Sequence, residues 1–216
     1  MKRKILSPIQ RTIWGGLLTL FFLTAGIVLN HTYHLTLENH LIMGIDLLKT
    51  DAPKAITHFK IVQKSSLKEA KMLSALYLAR LYHHGAPGVS QNFSKAVYYY
   101  EQAAQYDFAE AAYILALLYD AGDKIPQNRE KAIDYMKKAA RVYPPAKYAL
   151  AVWMERGYMG APDMGEVVSL YTQAAHQGVV NAMKSLISIY HGGYGGFPQS
   201  IEREYYWRAK LKQRTE

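Results

Sequence analysis

Five helix-start signals recur along the chain at nearly constant spacing, and this period restricts the fold more than any other feature of the sequence. Asp51 in "DAPKA", Asn92 in "NFSKA", Asn128 in "NREKA", Asp163 in "DMGEV" and Ser200 in "SIERE" stand in the same frame, at intervals of 41, 36, 35 and 37 residues. The side-chain oxygens of Asp, Asn and Ser accept the orphan backbone N–H groups at a helix start, so five phased caps predict five phased helices. Pro53 falls in the first turn of its helix, where a missing N–H costs nothing.

Each of the last four capped helices follows a second pattern: "LARLYHHG" at 78–85, "LALLYDAG" at 115–122, "LAVWMERG" at 150–157 and "LISIYHGG" at 186–193. The closing glycines, Gly85, Gly122, Gly157 and Gly193, sit where a helix needs a left-handed terminating residue. Ala79, Ala116 and Ala151 share one frame, and Ser74, Ala111, Ala146 and Ala182 share another. The pairs Ala103-Ala104, Ala139-Ala140 and Ala174-Ala175 mark the second helix of each unit. Small side chains at fixed helical spacing let two helices approach closely, so these are predicted packing positions. The unit is helix, glycine turn, loop and capped helix at about 36 residues, the signature of an all-α helical-repeat solenoid.

The loop "GAPGV", the "KA" and "YYYEQAA" of the second helix, and "LARLY" with its closing glycine resemble the Sel1-like repeat, a relative of the tetratricopeptide repeat. The resemblance covers residues 70–216, with "GAPGVSQNFSKAVYYYEQAA" at 85–104 its best match. It weakens outward. The third unit has Glu166-Val167 for Lys-Ala, and the fourth has Ile187 for the small residue and Arg203-Glu204 for Lys-Ala. Residues 31–69 are expected to hold a connector and a degenerate first unit, giving about four to five units, and irregular ends suit the capping units of a solenoid.

Ahead of the repeats, "IWGGLLTLFFLTAGIVL" at 13–29 carries no charge and follows "MKRK" and Arg11. Seventeen residues make roughly 26 Å of helix, the short end of a bilayer span. A transmembrane anchor over 13–30 is therefore expected, with residues 1–12 cytoplasmic by the positive-inside rule and the repeats exported. A cleaved signal peptide is the competing reading, but the small-residue site around Ala25 is a poor match for cleavage. Glycosylation-type sequences at Asn30 and Asn92 are of a kind that arises often by chance, and a bacterial inner-membrane protein facing the periplasm is the expected setting.

The net charge of +9 comes from 26 Lys and Arg against 17 Asp and Glu. Without Lys2, Arg3, Lys4 and Arg11 it is 22 against 17, which leaves no basis for a nucleic-acid partner. The absence of cysteine excludes disulfides and thiolate chemistry. No nucleophile elbow, phosphate loop or paired metal-ligand motif is present, so neither enzymatic activity nor a cofactor is expected. His83, Asp120, Glu155 and His191 share one repeat position, but equivalent positions in neighbouring units lie about 8–10 Å apart. Metal ligands must converge to about 2 Å from one ion, so these four are expected to be ordinary polar residues near helix ends.

Eighteen tyrosines remain to be explained. Tyr82, Tyr119 and Tyr190 occupy the repeat's aromatic position. Tyr113, Tyr148 and Lys184 share a first-helix position where the pattern demands no large residue. In related solenoids the first helices line the concave surface, so this row is a candidate binding surface for a peptide or helix, with partial packing against the core as the alternative. The resemblance implies a membrane-anchored protein-protein scaffold, an adaptor or assembly factor of an envelope complex such as a secretion system or flagellar motor. A periplasmic peptidoglycan-binding or hydrolase-associated module is the alternative. A penicillin-binding enzyme is disfavoured by the missing cysteines, and a cytoplasmic regulator by the charge bias.

Overall fold

The computed structural model describes residues 36–215, and all of its regular elements are helices. The first, α1, covers 36–46. It is followed by α2 (Ala52–Gln63), α3 (Lys68–His84), α4 (Phe93–Gln105), α5 (Ala109–Ala121), α6 (Arg129–Ala140), α7 (Pro144–Glu155), α8 (Met164–His176), α9 (Val180–Gly192) and α10 (Ile201–Thr215). The expected anchor at 13–30 and the basic segment at 1–12 lie outside the described residues. Among the described residues no helix is long and apolar enough to cross a membrane. The chain divides into two compact units, one ending at Ser74 and the other starting at Ala75.

In the first unit α1 and α2 form a helical hairpin. Leu37 of α1 is buried, as are Ala52, Ala55, Phe59 and Val62 on the inner face of α2. Gly44 is the contact that sets their approach, because a Cβ there would stand 2.6 Å from Phe59 Cε1. Gln63 then ties α2 to the start of α3, donating to the Lys71 carbonyl at 2.7 Å and to Ser74 Oγ at 2.6 Å. Ser74 is fully buried, yet its hydroxyl is satisfied, donating to the Ala70 carbonyl at 2.8 Å.

In the second unit each helix from α4 to α10 packs on its neighbours in sequence, the arrangement of a solenoid. The small positions lie where the helices meet. Ala79, Ala116 and Ala151, Ala111, Ala146 and Ala182, and the three alanine pairs are all buried. Large side chains fill the space between them: Tyr100, Leu115, Met136, Tyr171 and Leu186 have essentially no exposure. Full burial of one such side chain is worth about 1.5–3 kcal/mol, so the phased apolar positions supply most of the cohesion.

All five phased caps form. Asp51, Asn92, Asn128 and Asp163 accept backbone N–H groups of the first turn, and Ser200 Oγ accepts from Arg203 N at 3.4 Å. The closing glycines also adopt positive φ, as at Gly122 (φ 68°), where a Cβ would in addition meet Gln127 Cβ at 2.7 Å.

The loops between first and second helices are closed by bonds that recur in three units. The cap residue's own N–H donates to the aromatic residue's carbonyl, Asn92 to Tyr82, Asn128 to Tyr119 and Ser200 to Tyr190, at 2.7–2.9 Å. The glutamine before each cap clasps the end of the first helix: Gln91 donates to the His83 carbonyl, Gln127 to that of Asp120 and Gln199 to that of Gly192. The third unit has Pro162 in place of the glutamine and closes differently. There Tyr158 N donates to the Trp153 carbonyl and the Tyr158 ring lies against Trp153.

Asn128→Ala removes the acceptor for Lys131 N and is expected to lower unfolding stability by about 1 kcal/mol. Asn128→Asp, which keeps the acceptor, is expected to lie within a few tenths of a kcal/mol of the parent in urea unfolding followed by circular dichroism. Equal loss in both variants would show that the cap is not what holds α6.

Candidate functional site

The predicted row does not share one environment. Tyr113, on α5, is half-buried, its ring 5.5 Å from that of Tyr143. Burial raises both phenols, with Glu110 adding to the rise at Tyr143. A salt bridge from Arg80 Nη2 to Glu110 Oε1 at 2.6 Å stands nearby. Tyr148, on α7, lies over Tyr171 at 5.6 Å and packs against the core of the last units. Lys184, on α9, is exposed. One turn beyond Tyr113, Leu117 is 40% exposed on the same helix. The surface on these first helices is therefore composed of tyrosine edges, Leu117, the Arg80–Glu110 pair and Lys184. Two of the three predicted residues also serve packing.

The four polar positions near the helix ends each take a different local partner. His83 Nδ1 and Tyr100 Oη are 3.1 Å apart, and Tyr171 Oη donates to Glu155 Oε2 at 2.5 Å. Met136 replaces the tyrosine in the intervening unit, so Asp120 instead accepts from Tyr158 Oη at 2.5 Å. His191 pairs with Glu204 at 3.0 Å. Burial lowers the His83 pKa, with a smaller contribution from His84, so its neutral form is favoured. In three of the four units this position meets a tyrosine hydroxyl, and in two of them the tyrosine, Tyr100 or Tyr171, is fully buried.

A second recurrence explains the lysine of the "KA" pair. Lys95 Nζ sits 5.1 Å over the Tyr82 ring, Lys131 Nζ 5.0 Å over Tyr119, and Arg203 Cζ 5.4 Å over Tyr190. Each is close enough for a cation–π contact. In two of these units a second tyrosine stacks beneath: Tyr99 on Tyr82 and Tyr135 on Tyr119, with ring planes within 6°. The third unit replaces all three members together, with Met154 for the first tyrosine, Glu166 for the cation and Leu170 for the second tyrosine. A cleft opens at that point, about 320 Å³ in volume, with Leu150, Met154, Met159 and Leu170 as its apolar lining and Lys137, Arg141 and Glu166 at its polar edge. A flexible, methionine-lined surface of this kind adapts to an apolar side chain.

Glu166 stands out in the sequence as a departure from the Lys-Ala pair, but nothing there links it to Met154 and Leu170. The signal was present as three simultaneous exceptions in one unit. It becomes legible only once Lys95 and Tyr82 are known to touch.

Helix pairs that stack only on their neighbours define an α-solenoid, a class that serves as protein-binding scaffold. Residues 73–105, 109–141 and 144–179 each match the Sel1 repeat, and this region of the chain belongs to the Sel1 repeat family. The matched segments correspond to α3–α4, α5–α6 and α7–α8; the pair α9–α10 continues the pattern beyond them. A Sel1 repeat protein from Oxalobacter formigenes is 25% identical, with a TM-score of 0.64 over 76% of this chain and 65% of its own. A protective antigen of uropathogenic Escherichia coli strains, displaying an SLR fold, gives a TM-score of 0.70 at 20% identity, over 82% of this chain and 38% of its own. Chitin synthase regulatory factor 3 of Schizosaccharomyces pombe is 33% identical over 112 residues, half of this chain but only 12% of that protein.

The buried tyrosines set an alkaline limit to the fold. Desolvation pushes the phenols of Tyr100, Tyr135 and Tyr158 up to about 12. Between an unfolded value of about 10 and these folded values the native state holds more protons than the unfolded chain, so stability is complete below pH 10 and falls as pH rises towards 12. Tyrosinate absorbance is expected to rise in two phases, the later one coinciding with loss of helical dichroism. A single phase near pH 10 with helicity intact would contradict this assignment.

Proposed function

We propose that this chain is a membrane-anchored protein-binding scaffold, an adaptor or assembly factor of an envelope complex such as a secretion system or flagellar motor, with its repeats on the exported side. Sel1 repeats mediate protein-protein interaction, and the family is generally non-enzymatic. The anchor and its orientation rest on the uncharged stretch 13–29 behind Lys2, Arg3, Lys4 and Arg11.

The observation that carries the binding role is the cleft of the third unit. Three coordinated substitutions remove a tyrosine–cation clamp that the flanking units retain, and they leave apolar surface beside two cations. A partner segment that places a large apolar side chain on Met154 and Leu170, with an acidic residue towards Lys137 and Arg141, matches that chemistry. The row of Tyr113, Leu117, Tyr148 and Lys184 supplies a second, flatter contact on the first helices.

Rebuilding the clamp tests this reading. Met154→Tyr with Glu166→Lys and Leu170→Tyr restores the residues of the first two repeat units, so the fold is expected to persist while the cleft closes. A photo-crosslinker at Met159 in cells is expected to capture a discrete envelope protein in the parent chain and to lose it in the triple variant, with a control at the exposed Tyr98 capturing none. An unchanged adduct in the triple variant would remove the cleft from the function. Sedimentation with purified peptidoglycan in the absence of any protein adduct would favour the cell-wall alternative. An alkaline phosphatase fused after residue 216 is expected to be active, and an inactive fusion with a fluorescent cytoplasmic counterpart would reverse the topology.

A further inference from the structure

In the first unit, His40 of α1 and His58 of α2 meet through their Nδ1 atoms at 2.8 Å. Their ring centroids are 5.0 Å apart and the planes are tilted by 45°. Both residues are half-buried, so water reaches the pair. A neutral imidazole carries one N–H and one lone pair. Two Nδ1 atoms at this distance are joined by one N–H···N hydrogen bond, one ring donating and the other accepting, and in the donor ring's other tautomer both Nδ1 atoms carry a lone pair.

We propose that His40 and His58 form a binding site for a late first-row divalent transition metal, with Cu(II) the ion that the bite fits best. Two nitrogens bound at about 2.0 Å and at a right angle to each other lie about 2.8 Å apart, whereas a tetrahedral ion sets them at about 3.3 Å. The observed separation matches the first case without movement of either helix, and a small swing of the rings reaches the second. Cu(II) also heads the affinity series for nitrogen ligands. Binding replaces the N–H···N hydrogen bond: the donor ring moves its proton from Nδ1 to Nε2 by exchange with solvent, so both neutral rings turn an Nδ1 lone pair to the ion and no net proton is released. Among the described residues no group of three or more His, Asp or Glu side chains converges. Water, which reaches both half-buried rings, is available to the ion's remaining positions.

This site does not depend on the scaffold reading, since it lies in the first unit and uses no residue of the cleft. Copper(II) chloride titrated into the full chain, against a glycine competitor, is expected to show one equivalent bound, with an electron paramagnetic resonance signal of two imidazole nitrogens. His40→Gln and His58→Gln should each weaken binding at least tenfold with unchanged helical dichroism. Unchanged affinity in the double variant would overturn the proposal and place the ion on the remaining histidines or the α-amino group. A second measurement needs no variant: sub-stoichiometric Cu(II) should broaden the imidazole proton resonances of His40 and His58 first in the parent chain. Earlier broadening of any other histidine would equally reject the site.

Discussion

The structure depends on close approach between helices at alanine positions. Ala96, Ala103, Ala111, Ala116, Ala132, Ala139, Ala146, Ala151, Ala174 and Ala182 have no exposed surface, and each marks a place where a larger side chain would force two helices apart. Protein interiors are packed at crystal-like density, so overfilling such contacts costs about 1–3 kcal/mol. The large residues, Tyr100, Tyr171, Met136 and Leu115, can lie flat in the core only because the alanines bring the helices together. The caps, glycine turns and clasps then set where each helix begins and ends, so that the alanines meet in register.

Within that frame, the tyrosines have three separable uses. Tyr100 and Tyr171 are core residues whose hydroxyls reach polar groups at the end of the preceding helix. Tyr82, Tyr119 and Tyr190 carry a cation over one face of the ring. Tyr113 and Tyr148 lean on other tyrosines and expose an edge. Desolvation raises the phenols of Tyr100, Tyr113, Tyr119 and Tyr171, one or two from each of these uses. A residue type that looks like an excess in the composition is thus distributed among packing, capping and surface.

A solenoid acquires a binding site by departing from its own repeat. Where the pattern is kept, each unit covers its neighbour's apolar surface and presents a clamp. The third unit gives up the clamp, its loop is held by Tyr158 through Asp120, Trp153 and Arg129 instead, and the vacated space becomes the cleft beneath Met159. Function in this architecture is therefore to be sought in the exceptions, since the regular positions are consumed by stacking.

The helix starts, the glycine turns, the small packing positions and the repeat itself were legible in the sequence, because each depends on chemistry within one turn or on a strict period. Asn92 caps its helix whatever surrounds it, and Gly122 is needed wherever the backbone turns left-handed. The pairing of Lys95 with Tyr82, the clasps of Gln91, Gln127 and Gln199, the split between Tyr113 and Lys184, and the meeting of His40 with His58 were not legible. They join residues 7 to 18 positions apart in sequence, or compare environments on separate helices. What they do is set by how two helices cross and how far a side chain reaches, and only the folded arrangement decides either.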